Sequence, residues 1–96
     1  MTHPMNAMNL DRTRYQPLKS NFTDTPALVI DTQADALDLY SCARQRLRAA
    51  SDLLETLTCL SFDQADSKDT THVVNALYLL VQDGCDLLEH AHLRMP

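Results

Sequence analysis

One glycine, Gly84, in 96 residues limits this chain more than any other feature. Sandwiches, barrels and other turn-rich β folds need glycine at their corners. From Thr32 to Leu60 neither glycine nor proline intervenes, which leaves long helices as the main material. Apolar types make up 45% of the chain and charged types 22%, as in ordinary globular domains, so the chain is not disordered throughout. A length of 96 residues allows one domain at most.

The periodicity predicts a helix over about 32–60. Thr32-Gln33-Ala34-Asp35 reads as a variant capping box, with Thr32 as N-cap and an acid three residues on. With Tyr40 at heptad position a, Leu47 and Leu54 also fall at a, and Ala36, Ala43, Ala50 and Leu57 at d. Leu39, Leu53 and Leu60 at g widen the stripe, while Asp38, Gln45 and Asp52 lie opposite. Residues 61–70 (SFDQADSKDT) form a polar connector, short enough to make its flanking helices antiparallel neighbours. Phe62 is expected to plug the end of that hairpin.

A second helix is expected over about 70–93. Val73, Leu77, Leu80, Gly84, Leu87 and Ala91 recur at alternating steps of four and three, the spacing of a packed seam. Glycine inside a helix costs about 1 kcal/mol relative to alanine, so Gly84 points to a close helix crossing. Val74, Val81 and Leu88 read as widening the same side, with Tyr78, Leu79 and Cys85 turned away. The segment Val73–Val81 is then apolar nearly all round, more than a two-helix hairpin hides.

Ahead of the helices, residues 1–24 read as a flexible, irregular arm, punctuated by Pro4, Asn6, Asn9, Pro17, Ser20 and Asn21. Residues 25–96 form the helical-hairpin domain. It opens with Pro26-Ala27-Leu28-Val29-Ile30, a β-type run that proline confines to an edge strand or an extended strap. No strand partner is evident within the chain. The run either pairs with its copy in a second chain or lies over a helix. The expected fold is therefore mainly α: two long antiparallel helices after an irregular arm and a short extended segment.

So small a chain gains little from its own core after ordering entropy is subtracted, and the surplus apolar surface favours self-association. The simplest assembly is a two-fold homodimer, two hairpins making a four-helix bundle. Its interface is expected at Val73, Val74, Leu77, Tyr78, Leu79, Leu80, Val81, Gly84 and Leu88. The alternative is a monomer in which residues 1–31 fold back over that surface.

Charge argues against nucleic acid. The net charge is −5; Arg12, Arg14 and Lys19 balance Asp11, Asp24 and Asp31 in the arm, so residues 32–96 carry the whole excess and repel phosphate. Arg44, Arg46 and Arg48 spread around their helix and read as a solvated face. Three cysteines (Cys42, Cys59, Cys85), an odd number, with no secretory signal in the first 30 residues, suggest reduced thiols in a cytoplasm. The longest apolar run, Ala76–Val81, is six residues; a membrane span needs about 20.

Catalytic constellations are hard to find. A phosphate-cradling loop is impossible with one glycine, and no serine, histidine and acid suggest a triad. His72, followed by Val73-Val74-Asn75-Ala76-Leu77, lacks the lysine and glycine that phosphotransfer histidines usually have nearby. The two glutamates, Glu55 and Glu89, offer no Glu-x-x-His repeat for a di-iron site. His90 and His92 lie roughly 200° apart on a helix and cannot converge on one metal. Cys85, Glu89 and His92 do share a face and are the candidate metal ligands, although neither CxxC nor HxxxH spacing supports them. No cofactor is expected.

Pro26–Ile30, then Asp35-Ala36-Leu37, a polar turn and a helix containing Ala76-Leu77-Tyr78-Leu79-Leu80 resemble short, uncharacterised helical-hairpin proteins of Gram-negative bacteria and mobile elements. That resemblance spans about residues 26–93. It implies a bacterial cytoplasmic protein and no particular activity. The expected role is non-catalytic: a regulatory or interaction protein that dimerises and binds another protein, with neither nucleic acid nor membrane as partner. The alternative is a metal- or ligand-binding bundle whose site forms across the dimer.

Overall fold

The structure, a computed structural model, describes residues 13–59 and 67–95. Two helices dominate it, α1 (Ala36–Thr58) and α2 (Ser67–Arg94), preceded by two short strands, β1 (Tyr15–Pro17) and β2 (Val29–Asp31). Leu39 of α1 clusters with Ala91 of α2, and Leu47 lies against Gly84, so the helices run antiparallel. The fold is a helical hairpin carrying a two-stranded strap. Expectations for Leu60 and for Phe62 and most of the connector lie outside the described residues.

α1 begins later than the sequence suggests. Its N-cap is Asp35, whose carboxylate accepts from the Leu37 N–H at 3.0 Å. Thr32 is occupied elsewhere: its N–H and its hydroxyl both donate to the Arg14 carbonyl, at 2.7 and 2.6 Å. Between them, the Asp31 carboxylate accepts from the Gln33 N–H at 3.0 Å and the Asp31 carbonyl from the Ala34 N–H at 3.1 Å. Residues 31–34 thus form an Asx-type turn that holds off the helix. At the far end Thr58 returns its hydroxyl to the Glu55 carbonyl at 2.6 Å, a local bond that competes with helix continuation.

The strap corrects the expectation that Pro26–Ile30 has no partner within the chain. β1 and β2 pair antiparallel, with Tyr15 opposite Asp31, Gln16 opposite Ile30 and Pro17 opposite Val29. β1 lies in the stretch that reads as irregular. Three residues ending in proline carry no legible period, and the pairing is closed by side chains. The Asn21 amide donates to the Leu18 and Leu28 carbonyls at 2.7 and 2.8 Å, while its oxygen accepts from the Ala27 and Leu28 N–H groups at 3.1 and 3.0 Å. All four hydrogen-bonding positions of that amide are filled. Arg14 grips Asp31 through two parallel bonds of 3.0 and 3.1 Å.

Residues 13–34 then fold back onto the helices, though on one side only. Ile30, Leu39 and Ala91 form the buried cluster, flanked by Leu18, Ala34 and Leu87. Asp86 of α2, 5% exposed, accepts from the Lys19 N–H at 2.8 Å and from the Gln82 side-chain amide at 3.0 Å. Ser20 bonds the Asp83 carboxylate, and Arg94 donates to the Thr32 carbonyl at 3.0 Å. These anchors gather at the end where α1 starts and α2 finishes. The molecule's smallest dimension is 13 Å, the thickness of a single layer of helices with a strap on it.

Candidate functional site

The helix seam follows the expected spacing on α2. Gly84 is buried at the crossing, where an added Cβ would fall 2.8 Å from Leu47 Cγ, 2.9 Å from its Cδ2 and 3.4 Å from the Ala43 carbonyl oxygen. Ala43, Ala50 and Ala91 are buried, so backbones approach closely along the seam. Val73, Leu77 and Leu80 lie half-buried on the same stripe as Gly84. These four of the expected interface residues serve the hairpin itself.

On α1 the buried stripe is narrower than the one expected. Leu39, Ala43 and Ala50 are buried and Arg46, Leu53 and Leu57 half-buried, which is the d and g side. Position a is left at the surface: Tyr40 and Leu54 are exposed and Leu47 is half-buried. The physical reason is the small d residue. Alanine at 43 and 50 lets α2 sink toward the g side; Leu47 still packs on Gly84 at the crossing, while Tyr40 and Leu54 stand beside the contact.

The expectation that Val74, Val81 and Leu88 widen the inner side of α2 is corrected. All three are exposed. They belong to a second stripe, one residue along from the first, that includes Tyr78 and Cys85 and continues through His92 and Met95, all exposed. Its steps alternate four and three like those of the inner seam. Val74 is 59% and Tyr78 50% exposed. The stripe flanks the position-a side of α1: Tyr40 and Leu47 line one groove with Leu88, Arg44, Arg48 and Ser51, and Tyr40 lines the next with Cys85, Leu88, Glu89, His92 and Met95. Asp83 and Asp86, which hold the strap, lie on the opposite flank of α2 by helical rotation. One broad face of the layer therefore carries two apolar stripes, and residues 13–34 pack on the other along the half where α1 starts and α2 finishes. Leu79, the remaining expected interface residue, is exposed and lies off both stripes of α2.

The candidate metal ligands share one groove but not one coordination cluster. Cys85, Glu89 and His92 line a shallow groove of about 510 Å³ with Tyr40, Leu88 and Met95. Among the described residues, however, no three or more His, Cys, Asp or Glu side chains are grouped to hold a metal ion. His72 is exposed near the start of α2, and Cys42 and Cys59 are exposed on and just after α1. Sequence reasoning missed Asp83 and Asp86 because their partners lie 63 and 67 residues away, and Asn21 because it closes a loop that carries no period. It also missed the second stripe, whose signal, the repeat from Val74 to Met95, was present.

Among the described residues no helix is long and apolar enough to cross a membrane. Compared with protein-family models, curated proteins and solved structures, the chain gives no match.

Proposed function

We propose that this chain is a small, non-catalytic interaction or regulatory protein that acts as a homodimer and binds a further protein. The observation that supports this reading is the face, uncovered among the described residues, on which the outer stripe of α2 lies beside Tyr40, Leu47 and Leu54 of α1. Exposed apolar stripes of this kind, here with Arg44, Arg48 and Ser51 in the groove beside them, mark an association site. Packing a second hairpin on it yields a four-helix bundle of ordinary dimensions. Phe22, Leu28 and Leu93 lie outside those stripes and are exposed as well, further apolar side chains open to a second protein. The excess of acid over base makes nucleic acid a poor partner, and three exposed free thiols suit a reducing cytoplasm.

Light scattering on the purified chain tests this reading, alongside a variant carrying Val81→Glu and Leu88→Glu. Both sites are exposed, so the variant keeps its helical circular dichroism. The wild type is expected at twice the mass of the variant. Equal monomeric masses would remove the homodimer.

A second reading, a metal- or ligand-binding bundle, draws on the single groove shared by Cys85, Glu89 and His92. Elemental analysis decides it: zinc or another metal at one equivalent per dimer favours it, and metal far below that level with unchanged melting after chelation removes it.

A further inference from the structure

We infer that the second occupant of the apolar face is another copy of this chain in one register, related by a two-fold axis that crosses both helices at the level of Gly84 and sets Cys85 opposite Cys85. This rests on the homodimer reading and specifies its geometry. The outer stripe of α2 is symmetric about its middle. Cys85 has Val81 on one side and Leu88 on the other, then Tyr78 and His92, then Val74 and Met95. Reversing the helix about Cys85 sets Tyr78, seven residues before it, over His92 of the second copy, seven after it, and brings Val81 over Leu88 and Val74 over Met95 to within one residue. That is the self-complementarity an isologous interface needs.

α1 has the same symmetry at the same level. Its face residues Tyr40, Leu47 and Leu54 are centred on Leu47, and Leu47 packs against Gly84, the residue next to Cys85. One axis therefore serves both helices: Leu47 meets its own copy while Tyr40 meets Leu54 of the second copy. Two stripes on different helices need not share a centre, and a face evolved for an unrelated partner has no reason to. The area is adequate. α1 has 23 residues, about 35 Å, and two helices side by side at roughly 10 Å each give about 700 Å² per chain, close to the ~800 Å² per partner of a standard stable interface. In this register α2 lies antiparallel on its copy.

Spin labels measure the register directly. In the full chain carrying Cys42→Ser and Cys59→Ser, a nitroxide on Cys85 is expected to sit beside its copy, giving strong dipolar broadening. With Cys85→Ser added, labels placed by Thr71→Cys and Asn75→Cys, both exposed, move apart by about 3 Å per residue from position 85, because each residue adds its 1.5 Å rise twice. Axial separations of about 42 and 30 Å follow. A pair of distances that does not grow from 75 to 71 means a parallel packing or α1 over α2 of the second copy, and overturns the register while leaving the dimer standing. No inter-chain dipolar signal from any label, with monomer mass, overturns both. If a label perturbs folding, a short bis-maleimide on the unlabelled chain reports instead: rapid linkage of two chains through Cys85 supports the register, and none in a dimer of confirmed mass contradicts it.

Discussion

Three residues set the local geometry, and each makes a separate prediction. Gly84 has no room for a side chain, since even a Cβ would sit 2.8 Å from Leu47 Cγ. Gly84→Leu is expected to destabilise by more than about 2 kcal/mol in denaturant melts, as overpacking does; a neutral result would put the crossing elsewhere. Asn21 closes the strap loop with all four of its amide bonds. Asn21→Ala leaves the Ala27 N–H without that partner, and its amide is expected to exchange with solvent much faster, while amides at the Gly84 crossing keep their protection. Asp31 has its pKa lowered from the ordinary 3.8, first by its hydrogen bonds from Arg14 and then by the Gln33 N–H. A carboxyl with a depressed folded pKa adds stability above its unfolded value and loses it as pH falls through the folded one. Carboxyl chemical-shift titration is expected to find Asp31 below 3.8 in the native chain and returned toward that value in Arg14→Met.

At the scale of elements, helix seams were more legible in the sequence than their surroundings. The steps from Val73 to Ala91 place the inner side of α2 correctly, because one helical period needs no knowledge of what lies against it. The helix α1 was legible as an element and its d and g residues as the packed side, yet the expected stripe was too wide: small residues at 43 and 50 shift the contact and leave Tyr40 and Leu54 exposed, which periodicity alone does not show. The start at Ala36 was obscured because Thr32, a good cap by composition, is held by Arg14 across 18 residues. The strap was least legible: β1 is three residues long, and what anchors it, Asp86 to the Lys19 N–H, joins positions 67 apart. Cutting that anchor is the element-level test. Asp86→Ala leaves the Lys19 N–H and the Gln82 amide without their shared acceptor and is expected to cost about 1–3 kcal/mol. Proteolysis should then cleave within residues 18–28 while the helices remain intact.

At the scale of the whole molecule, thinness is the governing property. A layer 13 Å deep has two broad faces and a strap that packs on part of one. The uncovered face joins stripes from both helices, and burying it against a copy turns a flat hairpin into a bundle with an interior. Linked folding and association also make the melting temperature rise with protein concentration. Small-angle X-ray scattering on the full chain over a range of concentrations tests this account most directly, because it reads mass and shape together. Face-to-face pairing predicts twice the 10.8 kDa of one chain, a maximum dimension close to that of the single chain, and a thicker particle. A mass of one chain at every concentration, or a doubled mass in a particle that lengthens without thickening, would contradict it.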